Sequence, residues 1–215
     1  VLPAIVSGLA TGAIYATAAL IYNLMYATSR VLSVTTGHIT MLGAVAGAWM
    51  IFVLGLPVPV ALLGSLAVGT LFGVLTELVA VRRVLARSDE HLWLLSTLAL
   101  ATMAQQSVAL WWGTEPRPFP RIFPQDFADG VADQKFWLPI GVMVLAVCGL
   151  ELLYRRTMWG RLFHATSEDA FAARARGIST DRVRMVSYAM SGALGGLSGF
   201  AAGQLTFAYF ALAFR

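Results

Sequence analysis

Long apolar runs, separated by short charged or glycine- and proline-rich segments, set the pattern of this chain. Six runs stand out, at residues 1–26, 31–54, 60–81, 92–112, 136–154 and 185 to about 207. Each is near the ~20 residues that an α-helix needs to cross a bilayer. The runs are too long and too uniformly apolar for the short alternating segments of a transmembrane β-barrel. The pattern predicts an all-α, polytopic helical membrane protein with about six spans. Residues 1–215 then form a single transmembrane domain, because spans this close together leave no room for a soluble one. Gly55-Leu56-Pro57-Val58-Pro59 is a tight breaker between the second and third runs.

Composition agrees. The chain is 58% hydrophobic and 12% charged, whereas soluble domains carry about 25% charged residues. Mean hydropathy is +0.74. The first run has no basic n-region and no A-x-A-like cleavage site, so it reads as a span with a trimmed N-terminus rather than a signal peptide. The single cysteine, Cys148, excludes an intrachain disulfide and argues against structural zinc. No G-x-x-x-x-G-K-[ST], H-E-x-x-H or spaced Ser/His/Asp set occurs, so no catalytic residue, metal or cofactor is expected. The net charge of +4 fits arginine-rich cytoplasmic loops better than a nucleic-acid partner.

Charge also orients the chain. Residues 82–91 carry three arginines against two acids, and residues 155–184 carry seven against three. Residues 114–135 carry three basic residues against four acids, with several prolines. The arginine-rich segments are expected inside and the acidic one outside. Parity of six spans agrees, placing Arg30 inside.

Small residues recur four apart at Gly8/Gly12, Gly43/Gly47, Gly69/Gly73, Gly192/Gly196, Gly195/Gly199 and Gly199/Gly203. This spacing lets helix backbones approach closely in lipid. Packing within the chain is the preferred reading over a homodimer face, with residues 191–203 deep in a bundle.

Polar residues interrupt the apolar runs. Ser33, Thr35, Thr36, Gly37 and His38 open the second run. They either line or gate a path, or mark the cytoplasmic end of the span. Gln105 and Gln106 interrupt the fourth run and Asn23 the first. Glu77 and Glu151 lie near Arg82/Arg83 and Arg155/Arg156, which predicts interfacial ion pairs.

Residues 155–184 are too charged for hydrocarbon. At roughly 2.5 kcal/mol or more per charge, burying ten at the bilayer centre would cost on the order of 25 kcal/mol. Gly160 is expected to break the chain after the fifth span. Thr166 and Asp169 have capping-box spacing, and Gly177 is placed to end the helix they open. Such a helix has about ten residues and cannot stand alone in water. It docks either on the bundle or on a separate partner, with Phe171, Ala175 and Ile178 on one side.

The stretch from Arg156 to Gly199, RTMWGRLFHATSEDAFAARARGISTDRVRMVSYAMSGALGGLSG, resembles the cytoplasmic loop and following helix of the branched-chain amino acid ABC transporter permeases. Gly160, Arg161, Ala165, Glu168, Asp169, Ala172, Gly177, Ile178, Arg182 and Val183 stand at matching places. GLATGAIYATAALIYNLMYATSRVLSVTTGHITMLGA and TELVAVRRVLARSDEHLWLLSTLALA are similar to further family segments, so the likeness covers essentially the whole chain. Two places depart. The family's Asn-x-Ala-His-Gly-Glu run corresponds to residues 33–38, where only Gly37 is kept, and its Arg-Pro is Arg82-Arg83 here.

The resemblance implies a permease subunit with no ATPase of its own. It would sit in the bacterial inner membrane and pair with a second, paralogous permease. A periplasmic solute-binding protein would deliver substrate. Separate cytoplasmic ATPase subunits would meet the short helix through Gly160, Arg161, Ala165, Glu168, Asp169, Phe171, Ala172 and Gly177. Family members continue past the equivalent of Arg215, so the resemblance implies a chain incomplete at its C-terminus. Two alternatives stay open: the same architecture importing urea, short amides or another amino acid, and an ion-coupled transporter or channel using Glu77, Glu151 or His38.

Overall fold

A computed structural model describes residues 2–85, 92–113, 117–119, 136–205 and 207–208. Its helices are α1 (Leu2–Ser29), α2 (Thr36–Phe52), α3 (Val58–Leu75), α4 (Arg82–Leu85), α5 (Leu92–Trp112), α6 (Trp137–Arg156), α7 (Met158–Glu168), α8 (Ala170–Ala175) and α9 (Thr180–Leu205). A π-helical segment, Thr76–Val81, joins α3 to α4 without a break. Residues 117–118 and 207–208 pair as a two-residue antiparallel ladder. The rest of the acidic, proline-rich segment and of the arginine-bearing 82–91 segment lies outside the described residues.

The protein is helical, as the apolar runs predict. Among the described residues three helices are long and apolar enough to cross a membrane: Ala4–Ser29, Val58–Val84 and Trp137–Arg156. Helices α2, α5 and α9 occupy the other three predicted runs. Polar residues dilute α5 and α9. The second run is shorter than expected, because its helix begins at Thr36 rather than Val31. Arg30 causes the break. It adopts φ +56°, an uncommon conformation for a side-chain-bearing residue, and its N–H closes α1 on the Tyr26 carbonyl at 2.8 Å. Ser33 and Thr35 then bond each other at 2.6 Å, a local bond that competes with helix formation.

Helix α9 runs through the centre, against α1, α2 and α3. Glycine makes this possible. A Cβ built on Gly43 would lie 2.5 Å from the Gly196 carbonyl oxygen. One on Gly69, Gly73, Gly192, Gly196 or Gly199 would strike a backbone carbonyl of the facing helix. One on Gly47 would strike the Phe200 ring and Ser65 Oγ. These pairs are therefore intrachain contacts, as preferred from the sequence. Gly8 and Gly12 are different: nothing lies within 4 Å of either added Cβ, and both are exposed on α1.

Side-chain hydrogen bonds hold α9 on α1. Ser187 Oγ donates to the Leu24 carbonyl at 2.6 Å, and Tyr188 Oη to Ser29 Oγ at 3.1 Å. Phe200 meets Phe119 edge-on, with centroids 5.1 Å apart.

Candidate functional site

Thr157 leaves helical geometry, with φ −111° and ψ 156°, and turns the chain out of α6 into α7. Its Oγ1 accepts from the Gly160 N–H at 3.2 Å. Gly160 was the expected breaker, but it lies buried inside the first turn of α7. Its role is steric: a Cβ there would sit 2.5 Å from the Leu153 carbonyl oxygen and from Tyr154 Cα. The expected helix start at Thr166 is also displaced. Thr166 is buried in the last turn of α7, and Asp169 is the cap. Asp169 Oδ1 accepts from the N–H groups of Phe171 and Ala172 at 2.8 and 3.0 Å. A carboxylate accepting two orphan amides makes the stronger N-cap. One ten-residue helix is thus replaced by α7, of 11 residues, and α8, of 6.

Gly177 ends α8 as expected. It has φ +82°, its N–H reaches the Arg174 carbonyl at 2.9 Å, and the Ile178 N–H reaches that of Ala173 at 3.1 Å. That pair of bonds is the Schellman motif, for which glycine is the usual residue. In α8 the buried residue is Ala173. Phe171 is 82% exposed, and Ala172 and Ala175 are exposed beside it. Of the other predicted coupling residues, Arg161 is exposed and Ala165 half-buried. Glu168 lies 3.4 Å from His164 Nδ1.

Polar contacts fix α7 and α8 to the bundle. The Arg30 guanidinium donates to the Ser167 carbonyl. Arg174 Nε donates to Thr180 Oγ1, at the start of α9, at 2.7 Å. One turn into α9, Arg184 Nη2 holds Asp181 Oδ1 at 2.9 Å and Arg184 Nε holds Glu77 Oε1 at 3.1 Å. Glu77 is 0% and Arg184 6% exposed. The expected partners of Glu77 were Arg82 and Arg83. Its actual partner lies 107 positions away, because the π-helical segment turns Glu77 inward, with Thr76, Ala80 and Val81. Glu151 pairs with Arg155 on the exposed side of α6, as the sequence predicts.

The polar opening of the second run folds inward. Ser33, Thr35, Thr36 and His38 are buried, and Gly37 is half-buried. Thr36 Oγ1 bonds the Ser33 carbonyl at 3.4 Å and faces Met25 Sδ of α1 at 3.9 Å. His38 engages the Val34 backbone and the Gln105 side chain, so two of the candidate pathway residues meet. Gln106 points away and is exposed. A cavity of about 370 Å³ lies nearby between α2, α3 and α5, walled by Leu42, Val45, Trp49, Val68 and Trp112 among others.

These features define a class: a multi-pass helical membrane protein with a centrally packed glycine-rich helix and a small polar-capped helix outside it. A family described as the permease component of the branched-chain amino acid transport system matches residues 4–212, and the chain belongs to that family. It is 24% identical to the high-affinity branched-chain amino acid transport system permease protein LivH of Escherichia coli K12, over 92% of this chain and 69% of the relative. It is 25% identical to the BraD permease protein of Pseudomonas aeruginosa, over 88% and 66%. A shorter likeness, 37% identity over 38% of this chain, links it to the fructose import permease protein FrcC of Rhizobium meliloti. No solved structure matches the chain. The protein is therefore a permease subunit of an ABC importer, a transport component of the membrane.

Proposed function

We propose that this permease moves branched-chain amino acids across the bacterial inner membrane, powered by separate cytoplasmic ATPase subunits that dock on α8. The observation that carries the reading is the geometry of α8. Its ends are fixed by Asp169 and Gly177, and it holds an 82% exposed phenylalanine outward. An aromatic anchor flanked by alanines suits a groove on a partner. In this reading residues 155–184 lie in the cytoplasm, a paralogous permease completes the pathway, and a soluble binding protein delivers the solute. Nucleotide-driven closure of the ATPases then tilts the bundles between two access states.

Phe171→Asp tests the docking. It is expected to insert normally and to lose ATPase subunits in a detergent pull-down; co-purification at the wild-type level refutes the assignment.

The names of LivH and BraD support the amino-acid substrate, and the likeness to a fructose permease keeps a different small solute as the second reading. A solute screen on the cognate binding protein decides between them. The ion-coupled alternative is disfavoured at Glu77, whose charge Arg184 already neutralises.

A further inference from the structure

We infer that Arg184 is a positioning residue that transmits movement of α8 into the membrane bundle by exchanging carboxylate partners. The inference rests on the docking of α8 proposed above. It starts from a chemical mismatch. The Nε and Nη2 groups of arginine form a side-on fork that matches one carboxylate through two parallel hydrogen bonds. Here the fork is split: Nε goes to Glu77 Oε1 and Nη2 to Asp181 Oδ1. The second oxygen of Glu77, Oε2, is buried with no hydrogen-bond partner. A buried acceptor left open beside a donor fork is a second seat for that fork.

The two seats belong to different parts of the molecule. Asp181 is half-exposed in the first turn of α9, next to Thr180, which α8 holds through Arg174. Glu77 is wholly buried in the π-helical continuation of α3, and π-helical turns are frequent at functional sites. Along the seam, α3 and α9 meet glycine against backbone, a contact without charge. At Arg184 they meet through an ion pair. If a docked partner shifts α8, Arg174 draws on Thr180 and loosens the first turn of α9, taking Asp181 away from Arg184. Arg184 then leaves Asp181 and closes both donors on Glu77. The exchange gives up a bond at half-exposed Asp181 and satisfies the buried Oε2 of Glu77.

The test uses the assembled transporter with its ATPases and binding protein. Arg184→Lys keeps the charge and removes the fork; Asp181→Asn weakens one seat at a half-exposed position. Both are expected to keep ATPase co-purification. In both, stimulation of ATP hydrolysis by solute-loaded binding protein should fall by at least about fivefold, the lower range of measured coupling between sites. Wild-type stimulation and uptake in Asp181→Asn overturns the inference even if Arg184→Lys fails to assemble. Loss of ATPase association in both variants also overturns it, because the residues would then be structural. Phe171→Asp is run alongside: if that variant keeps its ATPases, the docking reading fails instead.

Discussion

Glu77 and Arg184 form an ion pair buried between the π-helical segment and the start of α9. Removing Arg184 strands Glu77 without water, which costs about 3–5 kcal/mol, whereas replacing both with apolar residues of similar size is often nearly neutral. We predict that Arg184→Met sharply lowers the melting temperature in detergent and that Glu77→Leu with Arg184→Met recovers most of it; simple additivity of the two single losses contradicts the pairing. His38 and Gln105 invite the same treatment. His38→Ala and Gln105→Ala should each change solute uptake, and the double variant should change it by less than the combined effect. Independent effects would mean that the contact plays no part in transport. The sequence points to Glu77 but not to Arg184, because local charge favours the adjacent Arg82 and Arg83. Burial, not proximity along the chain, selects the partner. His38 and Gln105 were legible as polar residues in apolar runs, yet their meeting depends on how α2 and α5 pack.

Helix α8 is short enough to depend on its caps. Asp169→Ala removes two charge-assisted acceptor contacts and should cost about 1 kcal/mol, the usual value of an N-cap. Amide hydrogen exchange at residues 171–176 should quicken, while α9 stays protected. Unchanged exchange there would mean that docking against the bundle alone holds the helix. Gly177 was readable because a helix end followed by glycine has one common geometry. Gly160 and Thr166 were misread for a shared reason. A glycine that breaks a helix and one that lets two helices touch look the same in sequence, and so do a capping threonine and a buried one. The π-helical segment was not legible either. Over six residues its inward positions suit an α-helical period almost equally well.

The bundle is governed by one seam, where α9 lies against α2 and α3 with carbonyls on Cα atoms. Overpacking such a contact costs typically 1–3 kcal/mol and sometimes more. Gly199→Leu or Gly69→Leu should therefore abolish monodisperse protein on size-exclusion chromatography. Gly12→Leu, with nothing within 4 Å, should leave the elution profile unchanged; equal damage at both places would disprove the seam. The helical membrane class was legible from the apolar runs, and the density of glycine in residues 191–203 placed the last helix inside. Which glycines face which helix was not, since four-residue spacing is shared by Gly8/Gly12 and the pairs that pack.

The seam also limits how the molecule can deform. Sliding α9 along α2 or α3 by one residue, about 1.5 Å, would push carbonyl oxygens into Cα atoms, so shear is closed. Beyond its first turn α9 then moves as one stiff body with α2 and α3, and that body is reached through Thr180. A tilt applied there is delivered, ~30 Å along α9, to Phe200 and its edge-on contact with Phe119. That aromatic pair is where a movement of α8, under the proposed docking, would reach the far end of the bundle.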